Sequence, residues 1–207
     1  RGGQFEAAYT ENVFVCVPEA NLIKRNVLNF QGDKITANQP WDTKEFIAST
    51  DEGFRPVNLF NGPDGSMYIV DMHRGIIQDK AYLSPYLLNR MRRIKLDTII
   101  GMGRILKVTS QENNENKIPN FEEFSDVELV DLLNHTNGWV RDRTQQILIE
   151  KNQNTAVPIL VKLIQNSNNE LAKLHALYTL KGMGALTFDI LKNILNINSS
   201  VLLSAHG

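Results

Sequence analysis

Near Lys117 the hydrophobic pattern of this chain changes period, and that change restricts its fold more than any single motif does. Up to Val108, short runs rich in β-branched and aromatic residues are separated by clusters of Gly, Pro, Asn and Asp, the punctuation of strands and turns. Beyond Asn120 the apolar residues recur at helical spacing. The stretch between them is polar, and Gln111-Glu112-Asn113-Asn114-Glu115-Asn116-Lys117 contains nothing that packs, so it reads as a linker. The expected organisation is a β segment over 1–108, a linker over 109–120 and a helical segment over 121–207.

In the first segment Asn12–Val17 and Asn21–Leu28 are expected to pair across Pro18-Glu19-Ala20, with a third strand over Lys44–Ser49. Phe54–Phe60 and Ser66–Asp71 form the clearest hairpin, because Asp64-Gly65 suits the positive φ of a tight turn. Residues 76–98 read as an irregular or partly helical excursion with Pro85 near a helix start, and Gly103–Val108 returns to a strand. Short strands at these spacings suit blades of a β-propeller or strands of a sandwich.

The second segment repeats. Val140–Leu148 matches Ala172–Leu180 at an offset of 32 residues, and Val201–Ala205 opens a third copy 29 residues further on. A shorter amphipathic run precedes each: Leu129–Leu133, Leu160–Ile164 and Ile190–Ile194. Paired helices at this period look like HEAT repeats, which stack because one pair cannot cover its own apolar face. Ser125-Asp126-Val127-Glu128 reads as a capping box, and Ser167-Asn168-Asn169-Glu170 as a second.

Composition removes several functions. Twenty-two Lys and Arg against 23 Asp and Glu leave a net charge of −1, too little field for counterion-driven binding to nucleic acid or anionic lipid. The single Cys16 excludes an internal disulfide, a Cys-rich zinc site and a Cys-x-x-Cys-His haem attachment within this sequence. No apolar run approaches the roughly 18 residues a membrane helix needs. The start, Arg1-Gly2-Gly3-Gln4, shows neither an initiator Met nor a signal-peptide pattern, as expected of a piece of something longer.

The densest local chemistry is Asp71-Met72-His73-Arg74, a carboxylate, an imidazole and a guanidinium within four residues at the end of a strand. His73 is a candidate general base with Asp71 to orient it, since residues two apart share a face of an extended chain. The alternative is that Asp71 caps the following turn and Arg74 makes a surface ion pair. Asp64 reads as turn chemistry, because one carboxylate falls far short of the about 6 to 8 oxygens that calcium takes. Arg90, Arg92, Arg93 and Lys95 read as a solvated face or a contact for an acidic partner or phosphate. Trp139 is expected to pack at the junction of the first helix pair, where truncation to Ala costs about 3 to 5 kcal/mol, with a partner-binding Trp as the alternative. Arg141 and Asp142 are expected to bridge adjacent repeats, and His175 to be a hydrogen-bonded helix residue rather than a metal ligand.

Phe54-Arg55-Pro56-Val57-Asn58-Leu59, followed by Gly62-Pro63-Asp64-Gly65-Ser66-Met67-Tyr68-Ile69-Val70-Asp71, resembles a blade of large secreted bacterial proteins related to sorbosone and glucose dehydrogenases. His73–Gln78, Gly101–Ile105, Leu132–Asp142 and Lys173–Leu180 resemble the passage of the same lineage from propeller to HEAT repeats. The resemblance implies a fold class of partial all-β propeller blades followed by a HEAT-type solenoid. It implies a periplasmic or secreted dehydrogenase that oxidises a sugar or alcohol with pyrroloquinoline quinone, sometimes with calcium, and passes electrons to a cytochrome c domain outside this chain. The remainder of the propeller would be its other partner. In that frame Arg55 at the start of an inner strand grips a quinone carboxylate with help from Arg74, His73 and Asp71 act on the substrate, and no residue is a metal ligand. Arg55→Ala is then expected to weaken cofactor binding with little change in melting temperature; a structural Arg binding loop carbonyls is the alternative. The rival function is a non-catalytic interaction scaffold.

Overall fold

The computed structural model describes residues 2–31, 34–110 and 117–197. The chain forms two compact units, one of Gln4–Gly62 with Ser66–Asn114, the other of Arg1–Gly3, Pro63–Gly65 and Glu115–Gly207. The first unit holds the strands β1 (Asn12–Val17), β2 (Leu22–Gln31), β3 (Lys34–Asn38), β4 (Ile47–Ala48), β5 (Pro56–Asn61), β6 (Met67–Asp71) and β7 (Arg104–Val108), and the helix α1 (Pro85–Arg93).

The β1–β2 hairpin closes in the register Val17↔Leu22 through a 3-10 turn begun by Pro18 and ended by Asn21 at a φ of 57°. Asn tolerates that left-handed position, and its Nδ2 donates to the carbonyls of Phe54 (2.7 Å) and Glu52 (3.3 Å). β3 pairs antiparallel with residues 27–31 of β2, whereas only Ile47 and Ala48 of the expected third strand pair, with residues 22 and 23. β5, β6 and β7 form a second antiparallel sheet, with an irregularity between Pro56 and Asn58. Pro has no N–H to donate and fits this edge strand. In the excursion before β7, Ser84 Oγ accepts from the Leu87 N–H and Pro85 opens α1. The strand faces meet over Ile23, Phe54 and Ile69, flanked by Phe14, Phe46, Leu59 and Leu106.

The expected class, propeller blades followed by a HEAT-type solenoid, is corrected by this topology. The described residues contain two small antiparallel sheets and then helices, with no propeller blade and no closed barrel. The reason lies in β2, whose ten residues give one edge to β1 and share the other between β3 and β4, so that the sheet is only three strands wide. A propeller blade needs four strands side by side.

In the second unit α2 (Asp126–Asp131), α3 (Gly138–Lys151), α4 (Ala156–Asn166), α5 (Glu170–Gly182) and α6 (Phe188–Ile197) enclose Leu129, Leu133, Leu148, Leu160, Ile164, Leu180 and Ile194. α2 packs on α3 and α4, α3 on α5, and α4 on α5 and α6. These are two helix pairs and one further helix; a repeat array needs at least about three units, and the copy beginning at Val201 lies outside the described residues. Ser125 and Glu128 form the expected capping box. At the second expected box Asn169 is the cap instead, its Oδ1 accepting from the Leu171 and Ala172 N–H groups, while Ser167 ends α4. Trp139 is half-buried with its ring 6.2 Å from that of Phe121. Trp139→Ala is therefore expected to cost about 2 kcal/mol, less than a fully enclosed Trp, as urea unfolding would measure. No helix among the described residues is long and apolar enough to cross a membrane.

Candidate functional site

Asp71 ends β6 opposite the first residue of β7, Arg104, and the inner side of the sheet hides it completely. A carboxylate without water needs donors, and it has three. Oδ1 accepts from the backbone N–H groups of Arg55 (2.7 Å) and His73 (2.9 Å), and Oδ2 from Arg104 Nε (2.7 Å). The Asp71 carboxylate adds to the pull that raises the Arg104 guanidinium above its usual value.

Arg55 stands one residue before β5 and is 6% exposed. Its Nε donates to the Arg74 carbonyl (3.0 Å), one terminal nitrogen to those of Pro18 (2.7 Å) and Glu19 (3.4 Å), and the other to that of Gly75 (2.9 Å). Burial pushes this guanidinium below its usual value, and nearby carboxylates work against that shift. The side chain thus ties the β1–β2 turn to the turn after β6, the structural alternative to a cofactor grip. Arg74 contributes its carbonyl to that clip while its side chain is exposed.

Asp71 and His73 do not form the side-chain pair expected of them. After β6 the Met72 N–H donates to the Arg55 carbonyl, and His73 takes a φ of 41°, which turns its imidazole away from Asp71. Its Nε2 lies 3.1 Å from Oδ2 of Asp51, and Arg104 reaches the same oxygen at 3.3 Å. Asp51 Oδ1 accepts from the Gly53 N–H at 2.8 Å. That backbone bond first, then His73 and Arg104, hold the Asp51 carboxyl below its ordinary value of 3.8. The folded state therefore favours the charged carboxylate. Its contribution to stability is complete above the ordinary value and is lost as pH falls through Asp51's lower one. Asp51→Asn should flatten the fall in stability below about pH 4, measured by urea unfolding across pH.

Residues 1–112 match the family described as a domain of unknown function, DUF7133. The chain belongs to the DUF7133 family. No curated protein and no solved structure matches it.

In the DUF7133 domain the cluster is therefore Asp51, Asp71, His73 and Arg104, with Arg55 beneath it. Sequence reasoning missed Asp51 and Arg104 as members. Asp51 precedes Gly53 in a turn, which accounts for it locally, and its partner is 22 residues away. Arg104 meets Asp71 only through the β6–β7 register, a cross-strand pair of opposite charge.

The residues present do not fit the implied cofactors. A quinone carboxylate at Arg55 would have to displace backbone carbonyls already bound, and each Asp71 oxygen faces a donor where calcium would need free oxygens. Among the described residues no three His, Cys, Asp or Glu side chains converge as a metal site.

In the helical unit of the DUF7133 protein His175 places Nδ1 2.7 Å from Gln145 Oε1, with Asp142 3.9 Å from Nε2, so both join α3 to α5. Arg141 instead donates to the carbonyls of His135 (2.6 Å) and Thr136 (2.9 Å) in the turn before its own helix.

Proposed function

We propose that this chain is part of a larger dehydrogenase acting on a sugar or alcohol, to which the DUF7133 domain contributes a proton acceptor, His73, oriented by Asp51. The single observation behind this is the 3.1 Å contact between His73 Nε2 and Asp51 Oδ2, made by a histidine in a backbone conformation that non-glycine residues rarely adopt. With the Nε2 proton directed at Asp51, Nδ1 carries the lone pair that takes the substrate hydroxyl proton. Arg104 and the Gly53 N–H keep Asp51 charged, so it stabilises the imidazolium that results. Asp71 positions the pair by holding the His73 backbone. On this reading the quinone, any calcium and the haem are held by residues outside these, in a periplasmic or secreted protein.

The test is dye-linked oxidation of sugars and alcohols by the longer protein supplied with pyrroloquinoline quinone and calcium. His73→Gln should lower kcat by about 10²- to 10⁴-fold with its melting temperature kept. No dye reduction by the unaltered protein removes the enzyme reading.

A non-catalytic interaction scaffold is the second reading, favoured by the full occupation of Asp71 and the closure of Arg55 on main-chain carbonyls. Under it His73→Gln changes stability alone.

A further inference from the structure

We propose that the outer face of α1 and the turns at its two ends form a docking surface for an acidic peptide segment of a partner protein. Tyr82 and Tyr86 stand 84% and 78% exposed beside it. Arg92, Arg93 and Lys95 at the other end are exposed as well, and no carboxylate pairs with them among the described residues. The neighbouring Arg90 behaves differently. It makes a two-pronged bond to Glu52, at 2.7 and 3.3 Å, and with buried Met91 it fastens the inner side of the helix.

Tyr86 and Arg93 are seven residues apart and so share one face, about 10 Å from each other along the axis. Cations near a helix C-terminus are favourable in themselves, which accounts for the position of the arginines but not for two bare tyrosines alongside. Lys95 adds a separate observation. It takes the left-handed position just past the helix, at a φ of 60°, where Gly is the least strained residue. The Lys95 N–H donates to the Arg92 carbonyl in this turn, and a third exposed cation follows the two arginines in the chain.

The chemistry selects the occupant. Arg forks bind carboxylates in pairs, and Tyr offers broad, rigid contact at low entropic cost. Tyr and Arg are also the types that concentrate in protein interfaces. The chain's net charge of −1 gives no wider field for nucleic acid, so the positive region is local.

Fluorescence anisotropy of a labelled Glu-rich peptide with interspersed Phe, titrated with the full 207-residue chain, tests this. Saturable binding is expected, weakening about tenfold between about 50 and 300 mM salt. The double variant Arg92→Glu/Arg93→Glu should weaken it about tenfold or more. Tyr86→Ala, which suits a helix and keeps the charges, should weaken it about fivefold with an unchanged melting temperature. No saturable signal, or equal binding by both variants, overturns the proposal. Binding to phosphatidylserine vesicles or to heparin without binding to the peptide overturns it too.

Discussion

Arg55→Ala should lower the unfolding free energy by about 4 kcal/mol, a large part of the roughly 5 to 15 kcal/mol that a domain has. Truncation strands the carbonyls of Pro18, Arg74 and Gly75 at once, and each lost bond to a charged donor is worth about 1.5 to 3 kcal/mol. Water entering the space returns part of this, which is why the sum is not reached. Arg55→Lys should recover less than half, because a single ammonium cannot span three separated carbonyls. Urea unfolding followed by circular dichroism gives both values. A ligand-gripping Arg55 would behave in the opposite way, with melting unchanged.

Asp71→Ala should cost about 3 kcal/mol by the same measurement. Breaking a buried ion pair typically costs about 3 to 5 kcal/mol, and the lower end applies because the Arg104 side chain is 41% exposed and rehydrates. The backbone N–H groups of Arg55 and His73 have no such recourse. Arg104→Ala should cost a comparable amount, since it takes from the buried carboxylate its one countercharge and the donor to Oδ2, leaving only the two N–H groups on Oδ1. Asp71→Ala should also cost activity, wherever activity is found, because His73 loses the bond that fixes its backbone.

The sequence shows the elements better than their partners. β1, β2, β5, β6 and β7 announce themselves by β-branched runs and by turn residues such as Asn21 and Gly65, whose local conformation requires little else. Ser84-Pro85 and the Ser125–Glu128 box mark helix starts through bonds confined to one turn. β3 escapes notice because Lys34–Asn38 carries one large apolar residue, Ile35, and that is 59% exposed, so no alternation appears. The propeller expectation fails at a level that spacing does not encode, namely which strand takes which edge of β2. The site is legible in the same uneven way. Asp71 and His73 stand together in sequence, yet one left-handed residue sends the imidazole to Asp51. Arg55 stands out in the sequence at the start of an expected strand, but nothing local tells a guanidinium whether carbonyls or a ligand will meet it.

Arg55 belongs to the fold rather than to a ligand, and the most direct measurement of this is the exchange of its Nε proton with water, followed by nitrogen-15 NMR with and without added pyrroloquinoline quinone. A slowly exchanging proton whose resonance is unmoved by the quinone is the expected result. A rapidly exchanging one that shifts and slows when the quinone is added would contradict it.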